Sequence, residues 1–136
     1  MGVRYHAKER LVAAGVSQWF YEEREIPLYP TSMLLVRVII AKILDRDLLK
    51  DILRATPIRQ GEEGWNCVGW VREGLERLEE DGDALGTSVT DWGTVRDAAM
   101  NYVQWKKDQH RFDGRADWDT SRPPTYDLIT GREVIP

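Results

Sequence analysis

Apolar and polar residues along this chain change period several times, and each change marks a predicted element. From Val3 to Ala7, and again from Gln18 to Ile26 (QWFYEEREI), aromatic and β-branched residues are interleaved with charged ones, which predicts two strands. Gly15 falls in the connection between them. Pro27 and Pro30 end the second strand, because proline cannot donate to a ladder. The run from Met33 to Ile43 carries Val36, Val38, Ile39, Ile40 and Ile43. Its period alone fits a helix or a strand, and its β-branched density predicts a central strand buried on both faces.

The period then becomes helical. Asp45 is placed to cap a helix over Arg46 to Ala55, in which Leu48, Leu49, Ile52 and Leu53 form one apolar stripe that stops before Pro57. A loop, IRQGEEG, leads to the stretch WNCVGWV at 65–71. From Cys67 onward Val68, Val71, Leu75 and Leu78 are helically spaced, and Gly82 is a natural C-terminal stop. Thr87 to Val89 reads as a short extended link. Thr90 or Asp91 caps a third helix, with Trp92, Val95, Ala99, Tyr102 and Val103 as its buried stripe and its end near Gln109. The remainder, 111–136, is turn-rich and contains prolines, so it is expected to wrap the surface of a single globular domain spanning 1–136. Strands first and helices afterwards predict an α+β fold: a small antiparallel sheet packed with about three helices.

Composition narrows the function classes. A chain of 136 residues is long enough to bury a core without covalent staples. A formal charge of −4 argues against a general nucleic-acid role, since phosphate binding needs a basic surface. One cysteine cannot make an internal disulfide, and there is no Asn-x-Ser/Thr sequon. The first residues, MGVRYHAKERL, become charged at once, unlike a signal peptide, and His6 stands where a myristoylation signal wants Ser or Thr. The longest apolar run is short and interrupted by Arg37 and Lys42, so no membrane span is expected. A cytoplasmic protein is the expectation.

Candidate chemistry gathers at WNCVGWV. With Asn66 as N-cap, Cys67 becomes the first helical residue, while Trp65 and Trp70 take the spacing of a hydrophobic staple. A thiol there feels the positive end of the helix dipole and unpaired N–H groups, which favour thiolate and can stabilise an oxyanion. Gly69 and Gly74 lower helix propensity and point to close approach by another element or a ligand. The alternative is that Cys67 is simply a small core residue, since free cysteine is among the most buried types. An acyl-transfer nucleophile also needs a base. His6, on the first strand, is the candidate; a solvent-facing histidine between Arg4 and Lys8 is the competing reading. His110 follows Lys106 and Lys107 at a helix C-terminus, where cations complement the dipole. Glu22, Glu23 and Glu25 are candidates for an orienting group only because the neighbouring strand carries them. No Cys/His pair has metal-ligand spacing, no calcium loop or glycine-rich phosphate loop is present, and no cofactor is called for. The six tryptophans are core residues by default, one or two being available to line a pocket for an apolar ligand.

The segments EEREIPLYPTSMLLVRVIIAKI, WNCVGWVREGLERL and LGTSVTDWGTVRDAAMNYV resemble a group of small uncharacterised fungal proteins, over most of the chain. More remotely, the Asn-Cys-x-x-Trp-Val motif opening a helix after a sheet resembles the permuted papain-like superfamily, which includes lecithin retinol acyltransferase-like enzymes and thiol peptidases. That resemblance implies a reduced papain-like fold, a strand histidine ahead of a helix-starting cysteine, and catalysis through a thioester. By motif, Cys67 corresponds to the nucleophile, Asn66 to its cap and His6 to the base. Superfamily members have further strand structure before the histidine, whereas His6 lies five residues from the start of this chain.

Two function classes follow, with a third beside them. The first is a cysteine-dependent acyl-transfer enzyme (hydrolase, transferase or small-molecule cyclase) acting on a small molecule or peptide, with Cys67 and His6 catalytic and Asn66, Trp65 and Trp70 around the substrate. It predicts an accessible sulfur with His6 in reach. The second is a non-catalytic binding or scaffold protein on the same fold, which predicts a buried Cys67. The third is a cofactor-free cyclase or isomerase with a tryptophan-lined pocket. The sequence leaves oligomeric state open.

Overall fold

The structure, a computed structural model, describes residues 2–27 and 34–136. Pro30 and Met33, named above, lie outside the described residues. The elements run β1 (Gly2–Ala13), β2 (Val16–Ile26), β3 (Arg37–Ile39), β4 (Ala41–Ile43), α1 (Arg46–Ala55), α2 (Cys67–Asp81), β5 (Leu85–Ser88), α3 (Trp92–Asp108), β6 (Thr125–Asp127) and β7 (Arg132–Ile135). The fold is α+β, as the order of patterns predicts. The chain forms two compact units, one holding β1, β2, α1 and α2 and the other β3, β6, β7 and α3. The chain passes between them within β4 and β5, which pair as a two-stranded ribbon.

In the first unit β1 and β2 form a long antiparallel hairpin closed between Ala13 and Val16. Gly15 makes the turn possible, its φ of +74° being a conformation that glycine adopts without steric cost. Strand alternation divides the hairpin into two chemical faces. Tyr5, Ala7, Trp19 and Tyr21 pack against Leu49 and Leu53 of α1 and Trp70 and Leu78 of α2. Arg4, His6, Lys8, Arg10, Phe20, Glu22 and Arg24 occupy the opposite face by register. Residues 8–18 are exposed, Leu11 at 70% of its surface, so the hairpin extends past the helices that cover its other end.

The helices form where capping and periodicity place them. The Asp45 carboxylate accepts from the Leu48 N–H at 3.0 Å, and α2 stops at Gly82 in the left-handed region, φ +77°. Gly74 is the point where α1 and α2 touch: a Cβ there would meet Leu53 Cδ2 at 3.2 Å. A Glu23 carboxylate of β2 is clamped by the guanidinium of Arg54 of α1, the second contact being 3.0 Å, and also accepts from the Tyr21 hydroxyl at 2.7 Å. Together with burial, that bond pushes the Tyr21 hydroxyl far above the usual tyrosine range, burial being the larger cause.

In the second unit β3, β6 and β7 make one sheet in the order β3-β6-β7, with β3 parallel to β6 and β6 antiparallel to β7. The C-terminal stretch therefore supplies two of the three strands, and Pro123, Pro124 and Thr125 are buried. It is part of the unit's framework. Arg111 fixes it by donating to the carbonyls of Asp119 and Arg122 at 2.9 and 2.8 Å.

The expected central strand through Ile43 is corrected. Residues 37–39 and 41–43 belong to different sheets, and Ile39 and Ile43 are exposed. The break lies at Ile40, whose carbonyl accepts from Val89 N–H at 2.7 Å, while Ile39's accepts from Leu128 at 2.9 Å. The apolar run is therefore divided between two sheets, β3 pairing with β6 and β4 with β5.

Candidate functional site

Cys67 is exposed and opens a 15-residue helix. Three contacts hold the chain as it enters that helix. Gln60, in the loop before it, bonds both backbone groups of Trp19 on β2, accepting from its N–H at 3.1 Å and donating to its carbonyl. Trp65 then stands edge-on against Trp19, with ring centroids 5.7 Å apart at 89°. Its indole lies over Gly69, where a Cβ would come within 3.1 Å of the ring. The glycine is there because the tryptophan leaves no room for a side chain. Trp65 thus packs on Trp19 and Gly69, while Trp70 turns inward against Tyr21 and donates to the Thr56 carbonyl at 3.3 Å. Trp70 is only 3% exposed and is a core residue, not part of a substrate surface.

Asn66 caps the helix as expected, its Oδ1 accepting from the Val68 N–H at 3.0 Å. Among the described residues the N–H groups of Cys67 and Gly69 have no partner, and neither does the thiol. The result is an accessible sulfur beside unpaired donors at the positive end of a four-turn helix. Cys67 is exposed, so a buried cysteine is not what the structure contains.

His6 is not brought to that sulfur. Its Nε2 lies 3.0 Å from Glu22 Oε1, and Glu22 also faces Arg10 at 3.2 Å and Lys8 at 3.9 Å. Strand alternation puts His6 and this cluster on the hairpin face opposite the one that α1 and α2 cover, since the neighbours Tyr5 and Ala7 face the helices. The Glu22 carboxyl is held below the usual carboxylate range, first by the His6 hydrogen bond, with the Lys8 charge and the Arg10 bond adding to it against some burial. Of the three glutamates considered as an orienting group, Glu22 does orient His6, but away from the thiol. His110 ends α3 with φ +59° and pairs through Nδ1 with Asp113 at 2.7 Å.

The second unit holds what the sequence pattern did not reveal. Lys106 is 1% exposed, its Nζ 2.6 Å from Glu133 and 2.9 Å from the Gln109 side-chain oxygen. Trp105, Trp118 and Tyr102 surround the ammonium at 4.6, 5.2 and 5.7 Å from their ring centres. The signal was available: 95, 99, 102, 103 and 106 continue one helical stripe, but a lysine at its end reads as a dipole partner. Beside these rings, α3 and the β6 region enclose a cavity of about 430 Å³. Two others, of about 410 and 330 Å³, lie at the start and the end of α1. None of the three is lined by Cys67 or His6.

The model of a family of unknown function, DUF6914, matches residues 1–135. The chain belongs to that family. No curated protein and no solved structure matches it. The match extends over both units, and the family's own description carries no activity.

Proposed function

We propose that this DUF6914 protein is a cysteine-dependent acyl-transfer enzyme with Cys67 as nucleophile. One observation carries the reading: the thiol is exposed at the first position of α2, next to the partnerless N–H groups of Cys67 and Gly69. The thiol passes its proton to solvent as it attacks. The sulfur adds to an acyl carbon, the oxyanion is met by the first-turn donors, and the leaving group departs to give a thioester. Water or an acceptor nucleophile then releases the acyl group. His6 takes no part in this scheme. The remote papain-like resemblance supports the same role for Cys67 and Asn66.

The test is the iodoacetamide alkylation rate against pH for the native chain and for His6→Ala, followed by mass spectrometry after incubation with p-nitrophenyl esters. The reading expects the native thiol to be alkylated without denaturation, indifferent to His6→Ala, and an acyl adduct missing in Cys67→Ser. Absence of the adduct would end it.

The binding-protein alternative draws support from a different observation. The imidazole of His6 is committed to Glu22, so neither histidine is in place to shuttle protons for a slow-leaving amide. Under that reading Cys67→Ser changes nothing measurable.

A further inference from the structure

The cavity of about 430 Å³ in the second unit is lined by Ala98, Asn101, Tyr102, Trp105, Tyr126 and Leu128. Its volume lies within the range of about 300–1,000 Å³ typical of small-molecule sites. Three of the six are aromatic, and Tyr102 holds the wall together, its ring centre 5.5 Å from that of Tyr126 and 5.7 Å from that of Trp105. Trp105 remains 43% exposed at the opening.

Polar groups at this wall divide into two sets. The Tyr102 hydroxyl is consumed by the framework, within 2.7 Å of Glu133 and 3.2 Å of the Ile135 carbonyl. Among the described residues, the Asn101 amide, the Trp105 indole N–H and the Tyr126 hydroxyl have no hydrogen-bond partner. An aromatic wall with three uncommitted hydrogen-bonding groups is the composition of a site that orients a ligand as well as burying it. No ionisable acid or base other than the two tyrosines lines it. The wall carries no carboxylate, and the buried Lys106 ammonium, 4.6 Å from the Trp105 centre, is paired with Glu133 and does not line the cavity.

We infer that this cavity binds an uncharged, planar aromatic molecule carrying hydrogen-bonding groups on its edge, stacked against Trp105 and held by Asn101 and Tyr126. A cationic ligand finds no carboxylate in the wall, and an anionic one finds no cation. The inference does not rest on Cys67, which belongs to the other unit.

Isothermal titration of the full chain with 2-naphthol and with phenyltrimethylammonium tests it. The expectation is saturable one-to-one binding of 2-naphthol and none of the cation. Trp105→Ala should weaken binding at least tenfold, and Asn101→Leu or Tyr126→Phe about fivefold each, the size of one net hydrogen bond. Cys67→Ser should bind as the native chain does. Should Trp105→Ala fail to fold, Leu128→Trp, which fills the cavity, must abolish binding while leaving the circular dichroism spectrum intact. Absence of saturable 2-naphthol binding, tighter binding of the cation, or affinity unmoved by the Trp105 and Leu128 variants would overturn the assignment.

Discussion

His6 and Glu22 stand directly opposite each other in the β1–β2 ladder, with the imidazole Nε2 3.0 Å from the carboxylate. A residue that the sequence offers as a general base is thereby a structural partner on the outer face of a hairpin. The same face carries Lys8 and Arg10, so one carboxylate serves three basic side chains.

That arrangement has a pH signature. The folded Glu22 carboxyl titrates below its ordinary value of 4.5, chiefly through the His6 bond. A lowered folded value contributes stability that is present above the unfolded value and is lost as pH falls through the folded one. Glu22→Gln should therefore be less stable than the native chain at neutral pH, and the difference should close below pH 4.5. Urea midpoints at pH 7, 4.5 and 3 measure it; a difference that is constant across the three refutes the pairing.

At the start of α2, two adjacent residues should respond in opposite ways. Asn66→Ala removes the acceptor for the Val68 N–H and should cost about 1 kcal/mol. Cys67→Ala removes an exposed side chain without a partner and should stay within about 0.5 kcal/mol of the native chain. Equal losses for the two in urea denaturation would mean that the thiol is packed and that its exposure is misread.

Lys106 and Glu133 should be strongly asymmetric under mutation. Glu133→Ala removes the ionic partner of a lysine that is 1% exposed and one of the two acceptors of the Tyr102 hydroxyl. Removing one partner of such a buried pair costs about 3–5 kcal/mol. Lys106→Met keeps the stem among Trp105, Trp118 and Tyr102 and removes the charge, so its cost should be far smaller. Thermal melts of the two variants decide the matter, and a Lys106→Met loss matching that of Glu133→Ala contradicts it.

Arg4 and Arg24 face each other across the hairpin, and among the described residues neither has an ionic partner. Like charges directly opposed on a ladder destabilise it. Arg24→Glu should accordingly stabilise the chain by about 0.5 kcal/mol at low ionic strength, with the gain shrinking in high salt. Differential scanning calorimetry at two salt concentrations checks both halves of this expectation.

What the sequence determined by itself is local. The cap at Asp45, the cap at Asn66, the Gly82 stop, the Asp91 cap chosen from two neighbours and the Gly15 turn all depend on a few contiguous residues, and all lie where the pattern puts them. Cys67 at a helix start was legible for the same reason. Tertiary structure decided everything that depends on which face meets which neighbour. It split the apolar run at Ile40, because residues 37–39 pair with β6 and residues 41–43 with β5. The direction of His6 was settled once α1 and α2 covered the Ala7 face of the hairpin, since a period of two then sends residue 6 the other way. Lys106 became a core residue only because Glu133, 27 positions further along a chain of 136, arrives to neutralise it. Caps and turns act within one helical turn and are written in neighbouring residues; facing and charge compensation are properties of pairs the sequence holds far apart.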